Sequence, residues 1–309
     1  MKVPRPAAVT GRIGFPYRAP TVPAGMDVPV EPETLGGHYD TDWARSFPAR
    51  WARAVLLEGA VRPLVRAVAD PDRRGYDRLA GLDGPVIFAA NHHSHVDAGL
   101  LLSSLPEPWR YKVFTGAAAD YFFTNRVTAA FSALTLGAIP IERSEVTRRS
   151  ADQAAALLDA GWAMVIFPEG GRSPDGWGQR FRGGAAYLSI RCGVPVVPVH
   201  IEGTGRILPK GKKRVQPGRT RVTFGRPLRP AEGESSRRFA ARIEQEVAAL
   251  ADEVAGDWYT ARRRAHAKAS PSLTGPDAGA WRRTWALGDR RRRRRPTASA
   301  VPGPRWPKV

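Results

Sequence analysis

The chain has 309 residues, 42% of them apolar, and a single cysteine, Cys192. That length suits one sizeable domain with additions, and the lone cysteine excludes an internal disulfide or a cysteine-rich metal site. The net charge is +19, and residues 257–309 hold 14 Lys+Arg against 3 Asp+Glu, so more than half of the excess sits in about a sixth of the chain and points to a polyanion, either nucleic acid or an anionic membrane surface.

Residues 1–40 recur in Pro and Gly without periodicity and read as a disordered leader. They contain no apolar signal-peptide core, and nothing in the chain approaches the run of about eighteen apolar residues that a spanning helix requires. Cytoplasmic residence is the expectation. Over 41–69, Trp51, Ala54, Val55, Val61, Leu64, Val65 and Val68 recur at helical spacing with Arg53, Arg62 and Arg66 between them. This predicts an amphipathic helix bent near Gly59 and Pro63, packed on the core or lying in a membrane interface.

From residue 84 the pattern alternates. Strands are predicted at 86–90, 110–114, 138–141, 163–167, 194–201 and 219–224, and helices at 97–105, 124–134, 149–161, 184–191 and 235–255. Such alternation predicts an α/β fold with a mostly parallel central sheet flanked by helices. The domain is expected to run over 70–256, followed at 257–309 by an arginine-rich disordered tail that includes six consecutive arginines at 290–295.

Chemistry concentrates after the first buried strand, in Asn91-His92-His93-Ser94-His95-Val96-Asp97. Two frames fit it. His93-x-His95-x-Asp97 has the spacing of a metallo-β-lactamase-type zinc hydrolase. A binuclear site of that kind needs about five histidines, and beyond the cluster only His200 lies in the core region. In the other frame His92 ends a strand and Asp97 falls in the first turn of the next helix, where its carboxylate can orient the imidazole as a general base. A capping box at Ser94-x-x-Asp97 with a structural histidine is the plainer reading of the segment alone.

Three further blocks accompany it: Gly137-Ala138-Ile139-Pro140-Ile141-Glu142-Arg143, Phe167-Pro168-Glu169-Gly170-Gly171-Arg172-Ser173, and Val194-Pro195-Val196-Val197-Pro198-Val199. Together, in this order over about 84–228, they resemble the 1-acyl-sn-glycerol-3-phosphate acyltransferase (lysophosphatidate acyltransferase) family. The resemblance implies His92 and Asp97 as a catalytic pair, and Arg143, Glu169, Gly170 and Arg172 as acceptor-binding residues. It implies a lysophospholipid acceptor, foremost 1-acylglycerol 3-phosphate, and acyl-CoA or acyl carrier protein as donor. No metal or other cofactor is expected, and attachment is expected to be peripheral, at the inner face of an anionic membrane. Two departures stand out. Gly171 occupies a position where threonine is commonest, and Thr115–Phe122 lacks a lysine that many members carry. The rival expectations are an acyltransferase of this fold with another lysolipid or polar acceptor, the zinc hydrolase, and a non-enzymatic basic nucleic-acid binder. The tail lacks the regularly interleaved aromatics of a stacking platform, so no specific nucleic acid is expected.

Overall fold

The computed structural model describes Gly36 and residues 39–141, 148–172, 176–208 and 214–274. Arg143, the arginine run at 290–295 and nearly all of the leader expected at 1–40 lie outside the described residues. In chain order the helices are α1 (Phe47–Leu56), α2 (Arg62–Ala69), α3 (Val96–Ser104), α4 (Ala119–Phe122), α5 (Arg126–Leu136), α6 (Arg148–Asp159), α7 (Gly184–Cys192), α8 (Thr204–Ile207), α9 (Ser236–Ala255) and α10 (Trp258–His266). The strands are β1 (Pro71–Arg74), β2 (Ile87–Ala90), β3 (Val113–Ala118), β4 (Ala138–Ile141), β5 (Ala163–Ile166), β6 (Val196–Glu202) and β7 (Thr220–Phe224).

They form one sheet in the order β1-β7-β6-β2-β5-β3-β4, with every neighbour parallel except β6 and β7. β2 is buried on both faces, as a central parallel strand must be. Its side chains alternate: Phe88 and Ala90 join Leu100, Leu101 and Val65 on one side. Ile87 and Ala89 join Leu158, Leu188, Phe239 and Ile243 on the other. Helices therefore cover both faces, α2 and α3 on one, α6, α7 and α9 on the opposite one.

Four expectations need correction. The strand expected at 110–114 is displaced: Trp109–Tyr111 is a 3₁₀ turn, and β3 runs on through Gly116-Ala117-Ala118. These small residues fit because a Cβ at Gly116 would lie 2.6 Å from Ile141 Cδ1. β1 was not expected at all. Its sequence, Pro-Asp-Arg-Arg, has no apolar residue, which an edge strand opening on proline tolerates.

The helix expected at 41–69 is continuous through a π-helical turn at Leu57–Val61. In and just before α2 the expected apolar face, with Val61, Val65 and Val68, packs on the core, but in α1 the faces are reversed. Arg53 is buried and donates to Val113 O at 2.9 Å and Ala44 O at 3.0 Å. Burial, with Arg45 and Arg50 nearby, lowers its guanidinium pKa to about 10. Phe47, Trp51 and Val55 point outward instead. Lastly, the tail expected to be disordered from 257 opens with α10, capped by the Asp257 carboxylate on Thr260 N at 2.9 Å. Arg262 and Arg264 hold it against α9 through Glu246 at 2.9 Å and Asp252 at 2.8 Å.

Candidate active site

The parallel strands β2 and β5 are neighbours, with Ala89 opposite Ile166, and β2 also pairs β6, with Ala90 opposite Val199. Loops leaving the carboxyl ends of β2 and β5 therefore emerge side by side, the edge where open α/β sheets place ligands. Asn91 fixes the first loop to β6: its carboxamide donates to Ile201 O at 2.8 Å and accepts from Ile201 N at 2.7 Å.

His92 follows. Its Nδ1 lies 2.8 Å from Asp97 Oδ2, and its ring stacks on Phe167 with centroids 4.3 Å apart. The Asp97 side chain is fully buried, whereas that of His92 is 18% exposed. The same Oδ2 accepts from the amides of His93 at 2.7 Å and Ser94 at 2.8 Å. With a carboxylate on Nδ1, the neutral ring carries its proton there and leaves the Nε2 lone pair for a reacting group. Asp97 Oδ1 is buried without a hydrogen-bond partner.

The loop after β5 supports this pair from behind. Glu169 Oε1 accepts from His92 N at 2.9 Å, and Oε2 accepts from Gln179 N at 2.9 Å. Burial raises the Glu169 pKa to about 7, against the opposing effect of those two amides. The resemblance implied an acceptor-binding role for Glu169; in the structure its two oxygens hold backbone amides. Gly170 takes φ +70°, a left-handed conformation that favours glycine, and the Arg182 side chain packs over its Cα.

The three histidines of the cluster go to three partners. His92 meets Asp97, His93 Nδ1 lies 3.3 Å from Asn91 Nδ2, and His95 Nε2 lies 3.0 Å from the Tyr121 hydroxyl. This dispersal is the physical objection to the zinc frame. Among the described residues, no group of three or more His, Cys, Asp or Glu side chains could hold a metal ion. Tyr121, on α4 after the carboxyl end of β3, stacks on His95 with centroids 5.2 Å apart, and the Arg172 guanidinium carbon lies 6.0 Å from the Tyr121 ring centroid. His95 is held neutral: burial first, then Arg172 and His92, lower its pKa to about 4.

Of the six residues expected in the site, the structure brings together His92, Asp97, Glu169, Gly170 and Arg172, while Arg143 lies outside the described residues. Sequence reasoning missed Phe167, Gln179 and Tyr121. Phe167 stood inside a recognised block, but the other two carried no signal.

Residues 70–202 match the family model described as Acyltransferase. A chloroplastic 1-acyl-sn-glycerol-3-phosphate acyltransferase of Brassica napus is 32% identical over 51% of this chain and 44% of its own length. An enzyme of that description from Chlamydomonas reinhardtii is 30% identical over 59% of this chain and 56% of its own. The chain thus spans about half the length of the curated relatives it matches. A crystal structure of the 1-acyl-sn-glycerophosphate (LPA) acyltransferase from Thermotoga maritima shares the fold, with a TM-score of 0.51 at 24% identity, covering 67% of this chain and 80% of that one.

Proposed function

We propose that this chain, whose residues 70–202 match the Acyltransferase family model, moves a fatty acyl group from a thioester donor, acyl-CoA or acyl carrier protein, to the hydroxyl of a lysophospholipid. The foremost acceptor is 1-acylglycerol 3-phosphate, the substrate named for the relatives, and the product is then phosphatidate.

The carrying observation is the 2.8 Å contact between His92 Nδ1 and the buried Asp97 carboxylate. His92 Nε2 takes the proton of the acceptor hydroxyl as its oxygen attacks the thioester carbonyl. Asp97 stabilises the imidazolium that forms. Collapse of the tetrahedral intermediate breaks the C–S bond, and the imidazolium returns its proton to the thiolate. These steps use neither metal nor organic cofactor, and no acyl-enzyme. Arg172, beside the same loop, offers a planar fork suited to a phosphate, and Arg143 is assigned the same task from the sequence resemblance. One observation favours a second acceptor, another lysolipid or polar-headed alcohol: Thr115-Gly116-Ala117-Ala118-Ala119 brings no cation to this edge.

The reaction is placed at a membrane surface. Support comes from Phe47, Trp51 and Val55 on α1, which are 78%, 66% and 52% exposed. Val127 and Phe131 on the adjoining α5 are exposed likewise. Five large apolar side chains on two packed helices suit an interfacial contact. Among the described residues, no helix is long and apolar enough to cross a membrane.

The test is purified protein with isotope-labelled acyl-CoA and 1-acylglycerol 3-phosphate, read by mass spectrometry. Wild-type protein is expected to give labelled phosphatidate, His92→Ala to lose roughly 10²–10⁴-fold, and His93→Gln to retain most activity. Equal loss in the two variants would overturn the choice of frame, and product with another lysolipid alone would replace the acceptor.

A further inference from the structure

We propose that Tyr121, stacked on His95 and lying beneath the Arg172 guanidinium, is a specificity-determining residue for the acceptor head group. The proposal rests on the acyl-transfer reading above.

Four contacts converge on Tyr121. Its hydroxyl meets His95 Nε2 at 3.0 Å, its ring lies at 25° to the imidazole with centroids 5.2 Å apart, Phe122 packs edge-on with centroids 5.0 Å apart, and the Arg172 guanidinium carbon lies 6.0 Å from the ring centroid. The neutral His95 imidazole and the tyrosine hydroxyl share this hydrogen bond, and the tautomer decides which of the two donates. The pairing ties α4 to the loop that carries His92, three residues from the base. An aromatic face under a guanidinium restricts where that cation can lie. An arginine poised in this way can meet an anionic head group without first being gathered from solvent. Tyr121 remains 49% exposed, so it forms part of the wall a ligand touches.

The edge of the site near β3 supplies this aromatic wall in place of a cation. Selection for a negative head group would then depend on Arg172 being held in place, and that in turn on Tyr121. A head group without charge would gain nothing from the arrangement.

The experiment measures acyl transfer from acyl-CoA to 1-acylglycerol 3-phosphate and, separately, to 1-acylglycerol, in wild type, Tyr121→Ala, Tyr121→Phe and Tyr121→Trp. Tyr121→Ala is expected to raise the KM for the phosphate acceptor roughly tenfold, since a cation–π contact plus a hydrogen bond is at stake. The KM for acyl-CoA and the kcat should stay within about threefold of wild type. Preference for the phosphate acceptor over the uncharged one should fall by the same factor, Tyr121→Phe should show a smaller loss, and Tyr121→Trp should restore the preference. An unchanged acceptor preference in Tyr121→Ala would overturn the proposal, and so would a kcat loss equal to that of KM in all three variants. Wild-type protein inactive on both acceptors would instead overturn the acyl-transfer reading itself.

Discussion

At the scale of single residues, the pair His92 and Asp97 was legible because its geometry is local. A strand end and the first turn of the following helix, five positions apart, bring imidazole and carboxylate together without help from the rest of the chain. Asp97→Asn tests what the charge contributes. The amide oxygen can still accept from His92, His93 and Ser94, but the new NH₂ replaces the partnerless Oδ1. Activity should fall at least about 10²-fold for want of imidazolium stabilisation, with about 1–3 kcal/mol of stability lost to the unsatisfied donor. Rate and denaturant midpoint measured together separate the two effects. Glu169 and Phe167 were legible only as members of a block, because the contact each makes with His92 depends on the pairing of β2 with β5. His200 had no legible role. It is buried within β6, opposite Thr223 of β7, and burial, with His93 nearby, holds its pKa down to about 4. A histidine depressed in this way contributes stability above its unfolded value near 6.5, and that contribution is lost as pH falls toward 4. Glu169, raised to about 7, works in the opposite sense and loses its contribution as pH rises from 4.5. His95 and His200 together outweigh it between about 4.5 and 6.5. The Tm should therefore drop from pH 7 to pH 5, and His200→Gln should shrink that drop; an undiminished drop would assign the titration elsewhere.

Among the elements, strands rich in Val and Ile announced themselves, since burial on both faces demands apolar residues throughout. β1 did not, because an edge strand is held by its backbone pairing with β7 rather than by side-chain burial. The reversed faces of α1 were hidden for a different reason. Spacing identifies two faces of a helix, and charge ordinarily tells which is outward. Here the two carbonyls that receive Arg53 come from Val113 and Ala44, the first of them sixty residues along the chain. α10 was obscured by composition, because three adjacent arginines resemble a tail until the acids of α9 are seen beside them. Glycine makes a sharper test of how these elements join. Gly75, at φ +83°, follows β1, and a Cβ there would come 2.2 Å from Phe224 O in β7. Gly81 has a similar φ of +74° but nothing within 4 Å of its Cβ position. Gly81→Ala should cost only the left-handed backbone penalty, about 1–2 kcal/mol. Gly75→Ala must also displace a backbone carbonyl of the neighbouring strand, and should cost clearly more in urea unfolding. Equal costs would mean that β1 yields at no cost and does not hold this edge.

For the whole molecule, the proposed reaction raises the question of how a chain of charge +19 would meet a lipid surface. Two surfaces of different physics are available. The outward residues of α1 and α5 offer apolar contact, whose strength does not depend on salt screening. Residues 275–309 hold ten Lys+Arg against two Asp. Each cation near an anionic bilayer contributes about 1 kcal/mol, but the field decays over about 8 Å at physiological salt. The two surfaces can therefore be told apart by ionic strength. The informative truncation ends after Thr274, because removal from 257 would also strip α10 from α9. Cut after Thr274, the protein should keep its fold and its transfer to a soluble short-chain acceptor. It should float less well than the full chain with anionic vesicles at low salt, and the difference should vanish at high salt. Replacing Trp51 and Phe131 by serine should weaken flotation at both salts, on neutral vesicles as well as anionic ones. Equal flotation of full and truncated chains at low salt would remove the tail from the attachment, and an unchanged result for the serine variant would do the same for α1 and α5. Should RNA displace the full chain from anionic vesicles at equal phosphate concentration, the tail would serve nucleic acid, since counterion release alone gives both polyanions a similar salt dependence and only direct competition ranks them.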